Sequence, residues 1–340
     1  MQFDWYCNDL DYLYKHMKKL LLTLISAISF LGVVRAQQDP QFSQFFINRL
    51  NYNPGVAGTE EKICALGVYR SQWVGFGSQK AGLSPTTFLA SINGPVGNNL
   101  GLGLNIYSDQ LGFEKSIAPT LSVSYRFHFS NGGVLSPGLA LGFMQKTIAG
   151  DKFIPLDKTD PKIPNIPVSG QTMDIGGGLY YTQPAISIFD NFYAGVSAMH
   201  LNKGLIAYEW TGNKYEYNLA LHYFVIMGAQ YRISNTLSVD PNLFVKTDVT
   251  KTSVDLNAML VYNEKFKGGL TYRTSNEMAI LVGFRFSEDM QLGYSYDLNM
   301  SNLSSYNNGS HELLFKYCFM PKFKQKPPKE PIPRLTPRFL

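Results

Sequence analysis

Five histidines are the side chains of this 340-residue sequence best suited to acid–base or metal chemistry. His16, His128, His200, His222 and His311 are scattered, and none stands at the spacing of a paired ligand. The sequence contains no HExxH, Walker A, GxSxG or CxxC pattern. A Ser/His/Asp triad is assembled in space and would escape such a search. His128 and His222, however, fall on positions read below as packing inside a barrel, which argues against an enzyme. No catalytic residue, cofactor or metal site is expected. Gly176-Gly177-Gly178 lies in a strand pattern with no helix after it, so a bulge or a close contact with an internal segment explains it better than a phosphate loop. Cys64 and Cys318 belong to the first and last strands, which become neighbours when a barrel closes. Two unpaired, packed thiols are favoured over a seam disulfide, because sequence does not supply the Cα separation that a bridge requires.

A larger set of ionisable and polar groups shares one parity of alternating segments. It includes Arg126, His128, Asn218, His222, Arg232, Asp240, Asn242, Lys246, Asp255, Asn257, Arg273, Arg285, Asp297, Glu312 and Lys316. Both signs fall on adjacent strands. They form either an internal ion-pair network or the lining of a wet pore, and a filled, satisfied interior is favoured over a solute channel. Gly101, Gly103, Gly138, Ala140 and Gly142 share this face and leave room for an internal plug.

Period-2 alternation is what must position these groups. In the segment 121–129, Leu121, Val123, Tyr125, Phe127 and Phe129 alternate with Ser122, Ser124, Arg126 and His128. Side chains alternate across a strand, so one face is apolar and the other polar. More than a dozen such segments follow one another from about residue 62 to 319, with no helical stretch to cover the apolar faces. A closed antiparallel barrel with lipid outside and a polar lumen inside satisfies them all. About fourteen strands are predicted, with cores at 62–70, 85–94, 99–109, 114–129, 133–148, 171–182, 191–200, 215–232, 236–248, 252–263, 266–274, 278–287, 290–298 and 310–319. Short turns such as Asn263-Glu264-Lys265 and Ser287-Glu288-Asp289 are assigned to the periplasmic end. Long connections at 71–84, 150–170, 204–213 and 299–309 are assigned to the outside, the second rich in proline.

The N-terminus supports export. Residues 1–16 have no signal-like order and are set aside as a mis-assigned start. Residues 17–36 read as a signal peptide: Lys18 and Lys19, an apolar run from Leu20 to Val34, and a small-residue cleavage pattern ending at Ala36. A plug segment at 37–61, a barrel at 62–319 and a periplasmic tail at 320–340 follow. The tail interleaves six basic residues with prolines against the single acid Glu330, so it should be extended. It accounts for the net charge of +5 and leaves the barrel close to neutral, which excludes the basic face of a nucleic-acid protein.

Two segments outside the strands are richer. Residues 38–58 place Phe42, Phe45 and Phe46 at helical spacing before Pro54-Gly55 and Gly58, as in a short helix tucked into the barrel mouth. Residues 70–77 carry Trp73, read either as an interface-girdle residue or as part of a recognition surface. These segments resemble the PorP/SprF family of the type IX secretion system. The resemblance rests on Asp39–Gln44, Asn53–Gly58, Arg70-Ser71-Gln72-Trp73, Gly293–Asp297 and Gly309–Phe315, and spans the whole mature chain. Asn48-Arg49-Leu50 departs from the family's Asn-Pro-Leu. The resemblance implies a FadL-like barrel in the cell outer membrane and a partner of the secretion and gliding machinery, including periplasmic ring components. It implies help in the secretion or surface attachment of a large adhesin, recognised through its C-terminal sorting domain. Asp39, Gln41, Phe42, Gln44, Arg70, Gln72 and Trp73 are the residues expected to meet partners. Arg126, His222, Arg232, Asp240, Asp255, Arg273, Arg285 and Asp297 are expected to form a polar network in the lumen. A FadL-like passive channel for a hydrophobic solute is the alternative, and would need an apolar pocket beneath the plug.

Overall fold

A computed structural model describes residues 39–76, 84–157, 160–300, 305 and 307–320. The expected signal peptide and almost all of the basic tail lie outside the described residues. Seventeen strands form: β1 (Ile63–Ser71), β2 (Thr86–Val96), β3 (Leu100–Leu111), β4 (Glu114–Tyr125), β5 (Phe127–His128), β6 (Val134–Ala149), β7 (Pro167–Ile186), β8 (Phe189–Met199), β9 (Leu205–Trp210), β10 (Asn213–Asn218), β11 (His222–Arg232), β12 (Leu237–Thr247), β13 (Thr252–Tyr262), β14 (Phe266–Arg273), β15 (Glu277–Ser287), β16 (Met290–Asn299) and β17 (Ser310–Phe319). Neighbours pair antiparallel around a closed ring. Strand β6 pairs with both β4 and β5, which are one wall strand interrupted at Arg126. With the β9–β10 hairpin standing apart, the wall has fourteen strands, as the alternation predicts.

The parity is as read. Leu121, Val123, Tyr125 and Phe127 are exposed on the outer face, whereas Ser122, Ser124 and Arg126 are buried within. No helix among the described residues is long and apolar enough to cross a membrane. The strands cross it instead, with every wall N–H and C=O able to pair around the ring. Six connections of two to five residues gather at the end where β1 starts and β17 stops. The long ones gather at the opposite end, so the short-turn end is periplasmic.

Two sequence expectations need correction. First, residues 215–232 are not one strand. Asn213–Asn218 folds back on Leu205–Trp210 as a hairpin, and the wall strand begins only at His222. The connection between β8 and β11 is therefore ordered. Ile206, Tyr208 and Leu219 are buried against Ala118, Met144 and Val168, so the hairpin lies over the outer end of the lumen. Second, Cys64 and Cys318 are bonded rather than free. The seam register sets them directly opposite one another, with Cα atoms 4.0 Å apart.

Candidate functional site: the filled lumen

The lumen is occupied by residues 39–61 of the same chain. No α-helix forms there. Residues 43–47 make turns, and two single-turn 3-10 helices follow at Arg49–Asn51 and Pro54–Val56. Asn53 begins the second: its Oδ1 accepts from Gly55 N at 2.8 Å, while Pro54 has no N–H and so leaves no unpaired donor at that position. The segment lies deep in the barrel rather than at its mouth. It runs from Asp39 near the outer end to Glu60 near the periplasmic end.

Its aromatic rings form the core. Phe42, Phe45 and Tyr52 are fully buried, with Phe45 stacked on Phe244 at 5.2 Å and Tyr52 against the same ring at 4.5 Å. Each such side chain contributes roughly 1.5–3 kcal/mol by leaving water. The glycines on the inward face admit the segment's backbone. A Cβ at Gly101 would lie 2.0 Å from Ala57 O, and one at Gly138 would lie 2.4 Å from Gly55 N. Gly178, in the triple glycine, faces Asn53 in the same manner, and the β6–β7 register runs through it without a bulge.

Polar contacts are organised in clusters along this axis. At the first, Arg70 from β1 bonds Asp297 of β16 at 2.7 Å and Glu312 of β17 at 3.1 Å. Glu312 in turn accepts from the backbone N–H of Ser43 (2.8 Å) and Gln44 (3.0 Å), and Ser43 Oγ donates to Asp297 at 2.6 Å. All three charged groups are buried. At the second, Asp255 accepts from Gln41 Nε2 at 2.9 Å and from Arg273 Nε at 3.0 Å, and Arg273 also pairs with Glu277. Nearer the outer end, Asp39 meets His200, while its backbone carbonyl accepts from Lys246. Nearer the periplasm, Glu60 bridges Lys316 at 2.6 Å. Burial would raise the Glu60 carboxyl, but the Lys316 ammonium, helped by Arg49, outweighs it and holds the group below the ordinary carboxylate range.

These placements redistribute the residues expected to meet partners. Asp39, Gln41, Phe42 and Gln44 are all engaged by the barrel's own wall. Arg70 points into the lumen, because its parity is that of Val68 and Leu66, which are also buried. Only Gln72 and Trp73 stand at the outer rim. There Gln72 N–H donates to Pro85 O and the half-buried Trp73 packs edge-on to Phe76. The lumen set is likewise divided. Asp297 belongs to the first cluster, Asp255 and Arg273 to the second, and His222 lies beside Asp39. Asp240 and Arg285 line a vestibule at the periplasmic end. Arg126 donates to the carbonyls of Gly97 and Leu100 at that rim, and Arg232 is exposed, paired with Asp190. His200, Ser43, Glu60 and Arg49 carry contacts that alternation could not reveal, since none lies in a wall strand. Arg49, in the departure from Asn-Pro-Leu, donates to Tyr180 Oη and lies 4.6 Å over the Tyr193 ring.

The free space is uneven. Near the outer end the cavities are about 30 and 40 Å³. At the periplasmic end two adjoining cavities of about 260 and 550 Å³ share Arg49, Asn191 and Tyr193. Lys267, Arg285 and Lys316 line the smaller of these. The larger spaces form a vestibule at the periplasmic end.

No curated protein matches this chain. Among solved structures it is similar to the CymD monoaromatic hydrocarbon channel, with 11% identity over 85% of this chain and 95% of that one and a TM-score of 0.46. It is similar also to a mutant of the TodX monoaromatic hydrocarbon channel, with 8% identity over 79% of this chain and 92% of that one and a TM-score of 0.44. A Pseudomonas aeruginosa FadL homologue shares 9% identity over 78% and 91% of the two chains, with a TM-score of 0.43. The model of the type IX secretion system membrane protein family PorP/SprF matches residues 34–317, most of the sequence. With an outer-membrane barrel built over those same residues, this chain belongs to the PorP/SprF family.

Proposed function

We propose that this barrel is a non-enzymatic component of the type IX secretion and gliding machinery that assists secretion or surface attachment of a large adhesin-like client. The lumen carries this reading. A tied-in segment runs along it and a hairpin packs on β4, β6 and β7 at the outer end, which disfavours passage of a polypeptide client. The protein then acts through its surfaces. The outer rim, with Gln72 and Trp73, is the side available to an exported client and its C-terminal sorting domain. The vestibule, with Arg49, Lys267, Arg285 and Lys316, is the side available to periplasmic ring components, and its charge favours an acidic segment of such a partner. The solute-channel alternative needs an apolar pocket against the plug; the one beside Phe42, Leu50 and Phe224 is about 30 Å³, and the smaller of the two periplasmic cavities is lined by Arg49, Lys267, Arg285 and Lys316.

The test compares the surface and secreted proteomes of a deletion strain and its parent. Selective loss of one or a few large surface proteins, restored by complementation, is the expected result. Loss of the whole exported set would mean a core machine component without a dedicated client. An unchanged proteome would overturn the reading.

A further inference from the structure

We propose that Asp39, His200 and His222 form a binding site for a divalent transition metal of the zinc class, which pins the start of the inner segment to the barrel wall. The three residues come from distant parts of the chain: Asp39 from the inner segment, His200 just after β8, and His222 at the start of β11. One donor atom from each lies within 4.8 Å of the other two. His200 Nε2 is 3.1 Å from both carboxylate oxygens of Asp39, and His222 completes the group within the same 4.8 Å span. Ligands held tetrahedrally at about 2.0–2.1 Å from zinc sit roughly 3.3 Å apart, close to the His200–Asp39 separation.

Three further observations point to a cation. His200 Nδ1 lies 2.9 Å from Asp174 Oδ1, the carboxylate–imidazole contact that orients a metal-bound histidine and raises its basicity. His222 is 98% buried; its Nδ1, 3.0 Å from Ala220 O, carries the ring proton, which leaves the lone pair on Nε2, and Nε2 has no partner. An imidazole nitrogen left bare in the interior is costly unless something absent from the polypeptide occupies it. Charge is also unbalanced. Asp39 and Asp109 line one cavity and Asp174 stands behind His200, while Lys246 brings one positive charge and Lys146 is already paired with Glu114 at 2.8 Å. With neutral imidazoles a dication would complete the balance. The adjoining cavity of about 40 Å³ is large enough for a water as fourth ligand. Two imidazole nitrogens with one carboxylate suit zinc better than calcium or magnesium, which prefer all-oxygen shells.

The test uses the full-length protein purified in detergent without a polyhistidine tag, stripped with a chelator and dialysed against zinc. Elemental analysis is expected to find about one zinc per chain after washing, with a raised unfolding midpoint, and neither calcium nor magnesium should reproduce it. His222→Gln should abolish retention, and Asp174→Asn should weaken zinc binding by about 10–100-fold while the barrel still migrates as folded. If His222→Gln fails to fold, Asp39→Asn, on the inner segment rather than the wall, carries the same test. A folded wild-type protein that retains no zinc would overturn the site and leave His200 as an imidazolium between two carboxylates. Equal retention by wild type and Asp39→Asn would assign the metal elsewhere and overturn it as well.

Discussion

Arg70 neutralises two carboxylates that lie diagonally across the β16–β17 ladder, Asp297 opposite Ser310 and Glu312 opposite Ser295. Arg70→Met should therefore cost more than the salt bridges it removes, because Asp297 and Glu312 would remain buried and uncompensated. A loss of about 3–5 kcal/mol is expected, read as a lower denaturant midpoint in micelles. Glu60 gives a pH dependence of definite sign. Its carboxyl is held below its ordinary value of 4.5, so its contribution is complete above that pH and is lost as the pH falls through the lowered value. Acid unfolding of Glu60→Gln should lack that component, which parallel titrations by tryptophan fluorescence would show. At this scale the sequence is legible where a residue sits in a wall strand. Asp255, Arg273 and Asp297 are recognisable as inward by parity alone. Arg70 has the same parity, yet the adjoining Trp73 drew it into an outward-facing motif. His200 ends the strand expected at 191–200 but on its outward parity, and Ser43 has no periodic neighbours to locate it.

Among the elements, strand pattern and turn chemistry specify the wall, since a one-residue slip would turn every apolar side chain inward. They do not distinguish the wall from the lid. Tyr215 and Tyr217 alternate as a membrane strand does, and only the short break at residues 219–221 separates the β9–β10 hairpin from β11. The inner segment is legible as rings and turns but not in depth, because its partners are spread from β1 to β17. The glycines that admit it supply a test. Gly138→Val would place a side chain where the Gly55 backbone lies, without disturbing the outward face of β6. The inner segment should become protease-sensitive while the barrel keeps its heat-modifiable migration. Removing residues 205–218 should leave the wall intact and open the outer end, read as faster entry of small polar solutes into liposomes.

For the whole molecule, a filled lumen predicts silence in a planar bilayer: the intact protein should show no steady conductance. Closure of the ring rests on nine paired residues from Ile63↔Phe319 to Ser71↔His311, with the disulfide at one end. Cys64→Ser with Cys318→Ser should therefore still give a closed barrel, less stable by about 2–4 kcal/mol in thermal unfolding without reductant.

The first buried cluster draws Arg70 from the first strand, Glu312 from the last and Asp297 from the one before it, and Arg70 stands directly opposite Glu312 in the seam register. These groups meet only when the two ends of the sheet meet. During biogenesis, a sheet with its edges still apart offers Ser43 and Gln44 the two carboxylates without the guanidinium that neutralises them. Full fixation of the inner segment therefore accompanies ring completion, so protease protection of residues 39–61 should appear together with closure of the β1–β17 seam.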